Sequence, residues 1–424
     1  MKKLVLSLAL VLGASFAFGQ ELTKEELKKQ KKEIKLLMKV VGDAEANILT
    51  DPVGAANALK PVLKNKLVNK DAYVWYVSAS AKQAVITNEN NKRAQGSDYD
   101  EEKLYSYTHD LGKDLEICEQ CDMLPDAKGR VKPRYADFLK MSYMQQYGQF
   151  YNAGAYFYGN EDYEKAYELF KMFIYTADKL HGLGVMPEDT VNVPVAAYNM
   201  TLCGMQLQNY EMVLSHVDIA LINDQIAPTA FKYKAMANIE LGDTLTWLEL
   251  CKEGITKYAE DPYFSQSVIQ YYDNKGEQEK LIALADELIA IDPENPLYVY
   301  LKGYIPHQKK QFDEAIEWYI KTLEVDPNYE SALSNLALCY IQKAQEYDMN
   351  CTTNPNNKKQ LAKDKEIKEG YYNQALPLLE KLRSLYPDKT ELWLTNLMNC
   401  YYNLHNAKKL QELEKLQESL VEEW

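Results

Sequence analysis

Four prolines, Pro194, Pro228, Pro262 and Pro296, stand 34 residues apart in one register. Proline suits the first position of a helix, where its missing N–H has no partner to lose and its φ is already helical. A chain that repeats it at a fixed period is therefore counting out units that each open a helix. A second register, Pro293, Pro327 and later Pro387, falls where a unit must close one helix and enter the next. Each unit reads as two antiparallel helices joined by a turn. At 424 residues the chain exceeds what one hydrophobic core organises, and only 18 Gly and 15 Pro with 26% charged residues suit a helix-rich array rather than disorder.

The N-terminus, "MKKLVLSLALVLGASFAFGQ", has Lys2 and Lys3 before an apolar run, Leu4 to Leu12, too short for a mature membrane span. Ala17 and Gly19 supply the small residues of a cleavage site, so residues 1–19 read as a secretory signal peptide. No Cys follows the run before Cys118, which argues against a lipid anchor, and no later run is long enough to span a membrane. Without Lys2 and Lys3, 46 basic and 62 acidic side chains leave a net charge of −16. Such a surface repels phosphate backbones, so nucleic acid is not an expected partner.

The side chains keep the proline phase. With Pro296 as position 1, Gly303 falls at 8, Phe312 at 17, Ala315 at 20, Tyr319 at 24 and Pro327 at 32. An earlier unit, "FYNAGAYFYGNEDYEKAYELFKMF", puts Gly154, Tyr163, Ala166, Phe170 and Phe173 at 8, 17, 20, 24 and 27. Small residues at 8 and 20 let two helices approach, and the large ones fill the space between units. On these residues the chain resembles the tetratricopeptide repeat (TPR) family. The resemblance implies an all-α fold, a right-handed α-solenoid of antiparallel helix hairpins, the TPR superhelix. Units beginning at Pro194, Pro228 and Pro262 keep the period but carry Val213, Trp247 and Leu281 at position 20, which should open or tilt their hairpins.

The expected organisation is a signal peptide at 1–19, an N-terminal helical region at 20–132, and a TPR array over 133–424. The N-terminal region reads as divergent hairpins, with a separate helical domain as the alternative. Ala375 lies 60 residues after Ala315, or 34 plus 26, so an insertion at about 346–370 splits one hairpin, with a loop around "TTNPNN" and Lys-rich helical flanks. The last pair, from "TELWLTNLMNCYYN" to the end, finishes in a charged capping helix.

Signatures of catalysis are missing from the sequence. Of the five histidines, His109, His181, His216, His307 and His405, no two stand at i, i+4 with a carboxylate, and there is no P-loop, G-x-S-x-G or G-x-G-x-x-G. Cys118 and Cys121 are spaced as in thioredoxin-like redox pairs but sit near the end of a helix with no strand before it, so burial or a structural disulfide is the simpler reading. Cys339 and Cys400 occupy nearly equal positions in successive first helices and read as buried thiols or a facing pair. No metal or cofactor is expected, and no enzymatic activity.

In the TPR family, positions 2, 5, 9, 12 and 13 of the first helix line a groove. The resemblance therefore points to Tyr151, Tyr158, Tyr198, Met205, Met236, Gln266, Gln270, Tyr300, Tyr304, His307, Leu338 and Gln342 as solvent-facing groove residues. The family's clamp for a terminal carboxylate needs Lys at 5 and Asn at 9 of one unit with Asn at 6 of the next. Here Lys232 is followed by Met236, and Asn335 follows Tyr300 and Tyr304, so the clamp is incomplete. A Tyr/Met/Gln surface suits a hydrophobic helix or extended peptide. The expectation is an exported, periplasmic (Gram-negative) or secreted scaffold or adaptor for a protein partner. The alternative is an envelope protein that stacks glycans on exposed aromatics, among the 33 tyrosines.

Overall fold

The computed structural model describes residues 23–422 except 127, 352 and 355. The expected signal peptide, residues 1–19, lies outside the described residues. Every regular element described is helical, and the chain divides into two compact units, Met1–Gly254 and Ile255–Trp424. The first holds α1 (Lys24–Asn47), α2 (Pro52–Leu63), α3 (Ala72–Ala94), α4 (Glu101–Asp122), α5 (Ala136–Gly159), α6 (Tyr163–Gly182), α7 (Asn192–Gln206), α8 (Tyr210–Leu214), α9 (Val217–Ala220) and α10 (Ala227–Glu240). α11 (Thr244–Lys257) runs into the division. The second unit holds α12 (Pro262–Lys275), α13 (Gln278–Ile291), α14 (Pro296–Gln308), α15 (Phe312–Val325), α16 (Glu330–Asn350), α17 (Lys358–Leu385), α18 (Leu394–Asn403) and α19 (Ala407–Glu422).

The prolines do what their chemistry predicts. Pro262 and Pro296 are the first residues of α12 and α14, Pro228 is the second of α10, and Pro194 is the third of α7. Asp261 and Asn295 cap their helices by accepting from the N–H of Tyr263 (3.0 Å) and Leu297 (3.1 Å). Pro293, Pro327 and Pro387 each lie just beyond a helix end, at Ile291, Val325 and Leu385. Within each unit successive helices pack on one another in chain order, and alternate helices also touch, as α1 does α3 and α16 does α18. This is the packing of an α-solenoid.

The period is also written into the backbone. Gln208 (φ 52°), Gly242 (84°), Gly276 (67°) and Lys310 (59°) are left-handed residues 34 apart, each at position 15 of its unit. Each ends a first helix in a Schellman arrangement. At Lys310 its own N–H donates to the His307 carbonyl (2.9 Å) and the next N–H, of Gln311, to the Pro306 carbonyl (2.8 Å). Glu161 and His405 repeat the arrangement at φ 62° and 58°.

Side-chain packing across each hairpin follows from the small residues. A Cβ on Gly303 would sit 2.8 Å from the Tyr319 ring, and one on Gly154 2.8 Å from the Phe170 ring, so positions 8 and 24 meet face to face. The unit with Val213 at position 20 solves its excess volume differently from a simple opening. Its first helix supplies Gly204, where a Cβ would lie 2.8 Å from the Val213 N, and its second helix is broken into α8 and α9. One cluster of buried residues is continuous from Ala72 to Ala230, so helices on both sides of residue 133 share a core.

The insertion lengthens a hairpin rather than forming a separate lobe: α16 runs on to Asn350 and α17 starts at Lys358. Asp364, 5% exposed, ties the intervening loop down by accepting from Thr353 Oγ1 (2.6 Å), Gln360 Nε2 (2.8 Å), Tyr347 Oη (2.9 Å) and Cys351 Sγ (3.2 Å). Led by the Thr353 bond, these donors hold its carboxyl at about 2.

Candidate functional site

In the second unit an open groove of about 590 Å³ is lined by α12, α14 and the start of α16. α12 contributes Gln266, Gln270 and Asp273; α14 contributes Tyr300 and Tyr304; the turn into α16 contributes Tyr329. These positions are four and three apart on their helices, so they fall on one face. Gln266 and Gln270 are exposed and offer their amides to solvent. The Tyr304 hydroxyl donates to Asp273 Oδ2 (2.8 Å), while Asp273 Oδ1 is buried with no hydrogen-bond partner. The ring of Tyr300 lies 6.3 Å from that of Tyr304 and 5.6 Å from that of Tyr329. Burial, with the Asp273 bond second, pushes the Tyr304 phenol up to about 12, and burial pushes Tyr329 to about 12. Both therefore remain neutral donors near neutral pH.

Two expectations about this face are corrected. Tyr300 is not solvent-facing: it is 9% exposed, stacks on Tyr319 of α15 (5.5 Å) and accepts from Asn335 Nδ2 (2.7 Å). Its ring is held by Tyr319, from the second helix of its own hairpin, and by Tyr329, tilted against it at 5.6 Å. Nor is His307 a solvent-facing groove residue: it does not line the groove with Tyr300 and Tyr304. It is half-buried behind them, with Nδ1 3.1 Å from Tyr319 Oη and Nε2 2.8 Å from Gln342 Oε1. The amide oxygen only accepts, so Nε2 carries the proton and Nδ1 accepts from the phenol. Burial lowers the His307 pKa, with the Gln342 bond opposing it.

The structure thus gathers Gln266, Gln270, Tyr300 and Tyr304 into the groove and links His307 to Gln342 beneath it. Leu338 is half-buried outside the lining. Tyr198, Met205 and Met236 lie half-buried in the other unit, on α7 and α10, as do Tyr151 and Tyr158 on α5. Tyr158 packs edge-on against Tyr163 at 5.3 Å and Tyr151 against Phe170 at 5.5 Å, so both serve the hairpin core as much as a surface.

Asp273 and Tyr329 are groove residues that sequence reasoning left out. The signal for Asp273 was available, since it stands at position 12 counted from Pro262. Tyr329, at position 34 of the preceding unit, carried none.

The cysteine pair is not bridged. Cys118 and Cys121 are free thiols that point at the carbonyls of Ala72 (3.5 Å) and Asn69 (3.7 Å). Burial pushes Cys118 far up and Cys121 to about 11, so neither is a thiolate at neutral pH. Cys339 and Cys400 are free and buried. Among the described residues no cluster of His, Cys, Asp and Glu could hold a metal, and no helix is long and apolar enough to cross a membrane.

A family model described as a TPR repeat matches residues 303–343, the segment from Gly303 through α15 into α16. No curated protein matches the chain. Among solved structures, the chain is similar to a TPR repeats protein from Bacteroides fragilis, at 17% identity over 60% of this chain and 98% of that one, with a TM-score of 0.32. It is similar to the C-terminal part of a TPR repeat-containing protein from Cytophaga hutchinsonii at 14% identity, covering 60% and 93%, with a TM-score of 0.32. Yeast Tom70 matches at 14% identity over 91% and 88%, with a TM-score of 0.33. Scores this low carry nothing about the arrangement of the helices.

Proposed function

We propose that this chain, a tetratricopeptide-repeat protein, is a non-enzymatic scaffold that holds a peptide segment of a partner protein in the groove lined by α12, α14 and α16. The supporting observation is the composition of that groove: exposed amides at Gln266 and Gln270 beside a wall of tyrosines. Amides can pair with a peptide backbone, and aromatic rings anchor its side chains with little entropy to lose. The apolar run and small residues of 1–19 support export, so the partner is sought in the periplasm or outside the cell.

A photo-crosslinking residue at Gln270 tests the proposal, with the same residue at Glu317, exposed on α15, as the control. Crosslinks to polypeptide at Gln270 and not at Glu317 are expected in the native envelope fraction. Equal labelling at both, or none at Gln270, refutes the reading. Binding of the purified protein to a glycan array, lost on changing Tyr304, replaces it with the glycan alternative.

A further inference from the structure

The net charge of −14 conceals a segregation along the chain. Residues 24–70 hold eleven lysines against six Asp and Glu, so the α1–α2 hairpin and the turn after it are basic while the rest of the chain is strongly acidic. All eleven lysines are exposed, and among the described residues none meets a carboxylate, whereas Lys82, Lys165, Lys179, Lys302 and Lys343 each do. Six of them, Lys24, Lys28, Lys31, Lys32, Lys35 and Lys39, fall within an arc of about 100° on α1 and run for about 22 Å along it. Four pairs among them are four residues apart, where like charges repel, and Lys24 and Lys28 stand at the positive end of the helix dipole. Such a stripe weakens its own helix and gains only where an anion faces it. Leu36, 62% exposed, stands beside Lys32 and Lys39 at the edge of the stripe, and Leu49, 93% exposed, lies in the turn after α1.

We infer that the lysine stripe of α1 is a docking surface for an anionic phospholipid bilayer, on which the helix lies at the headgroup layer without inserting. The chemistry of the hairpin selects this partner among anions. Residues 24–70 contain no Arg and no aromatic residue, in a chain with 33 tyrosines. Forked pairing of Arg with phosphate and stacking of bases, on which nucleic-acid recognition relies, are therefore missing, and so are the aromatic and Arg anchors of a protein interface. What remains, lysines acting as point charges beside exposed leucines, suits a layer of lipid headgroups. A stripe along the outside of a helix also meets a plane over its whole length, while it encloses no small anion. Insertion is ruled out by the opposite face, because Ile34, Met38 and Val41 are packed in one core with Val74 and Val77 of α3. The acidity of the rest of the chain does not prevent docking, since at physiological salt charges are felt over about 8 Å and the bilayer responds to the face that touches it. The inference goes beyond the scaffold reading and does not depend on the groove.

The test is cosedimentation of the chain from Gln20 onward with vesicles of phosphatidylcholine alone and of phosphatidylcholine mixed with phosphatidylglycerol. Partition onto the anionic vesicles should be at least tenfold stronger, and salt at about 0.5 M should release the protein. Lys28→Gln, Lys31→Gln and Lys35→Gln together should weaken it tenfold or more, since each lysine near such a surface adds about fivefold. The same three positions changed to Arg should bind like the parent. Lys309→Gln, Lys408→Gln and Lys415→Gln, which remove an equal charge from exposed sites in the second unit, should leave binding unchanged. Circular dichroism establishes that each variant is folded. No partition onto anionic vesicles, equal partition onto both kinds, or equal losses in the two Gln variants overturns the inference. Duplex DNA held as tightly as the anionic vesicles, or self-association in their absence that the α1 variant abolishes, also overturns it and hands the stripe to nucleic acid or to a second copy. The Gln270 crosslink is untouched by any of these outcomes, so the scaffold reading stands or falls separately.

Discussion

Replacing Gly303 with alanine tests the hairpin geometry at its tightest point. On a helix this substitution normally stabilises by about 0.5–1 kcal/mol, because alanine loses less backbone freedom on folding. Here the new Cβ would stand 2.8 Å from Cδ1 and Cε1 of Tyr319 and 3.1 Å from Cβ of Trp318. To restore ordinary contact the ring must retreat by more than half an ångström, on the order of the gap between 2.8 Å and van der Waals distance. It has nowhere to go. Tyr319 is fully buried, stacks on Tyr300 at 5.5 Å and holds His307 Nδ1 at 3.1 Å. Overpacking of a pinned site costs roughly 1–3 kcal/mol, so it outweighs the propensity gain and Gly303→Ala should destabilise by about 1–2 kcal/mol. Gly370→Ala is the internal control, since it is helical, exposed and has nothing within 4 Å of its would-be Cβ. That variant should be more stable than the parent by about 0.5–1 kcal/mol. Urea unfolding followed by circular dichroism gives the order, and hydrogen exchange locates the loss in α14 and α15, which is needed because repeat arrays do not always unfold in one step. A Gly303→Ala protein as stable as Gly370→Ala would show that positions 8 and 24 do not meet.

Three further outcomes follow from the same structure. Lys310→Gly should stabilise by up to about 1 kcal/mol by relieving a left-handed φ of 59°, and Gly276→Ala should cost about 1 kcal/mol, both read from urea midpoints; the opposite signs would remove the repeated turn. Tyr300→Ala should destabilise the second unit by about 3 kcal/mol, as large-to-small changes in a core do, and a protein with an unchanged midpoint would return Tyr300 to the surface. Glu89 is buried, which alone would raise its pKa, but hydrogen bonds from Lys103, Lys92 and the Asp100 N–H bring it to about 2. A depressed carboxyl contributes stability above its ordinary value near 4.5 and loses it as pH falls toward about 2, so Glu89→Gln should lower the midpoint at pH 7 and flatten its decline between pH 5 and 3.

How much of this was legible in the sequence depended on the range of the cause. Helix starts at Pro262 and Pro296 follow from one residue and its cap, and the hairpins follow from small residues at 8 and 20, so both could be read locally. The left-handed turns at Gly242 and Gly276 were open to the same reading, but those at Gln208 and Lys310 were not, because side chains that disfavour the conformation occupy it there. The burial of Tyr300 could not be read at all from its position in α14. It depends on Tyr319 and Tyr329, which arrive from α15 and from the turn into α16. Asp273 lay on a groove position, yet nothing near it in sequence says that one oxygen would be buried without a donor rather than hydrated.

The tyrosine excess has the same long-range origin. Phenylalanine would fill the inter-helix space as well, and only 10 are used against 33 tyrosines. The difference lies in the hydroxyl. Tyr143 and Tyr175 both donate to Glu119 (3.2 and 2.6 Å), Tyr304 to Asp273 (2.8 Å), Tyr347 to Asp364 (2.9 Å) and Tyr401 to Glu380 (2.6 Å). In each case the partners sit on different helices, so the ring packs between helices while its oxygen reaches a carboxylate on the neighbour. Hydrogen bonds to a charged acceptor are worth more than neutral ones, about 1.5–3 kcal/mol net when shielded. An array whose hairpins touch only their neighbours has few long-range contacts to set its register, and paired phenols and carboxylates set it one interface at a time. The acidic balance of the chain is then partly structural, because these carboxylates work as acceptors inside the stack. Asp273 belongs to this set, and it differs from Asp364 in having one oxygen that no side chain of its own unit reaches.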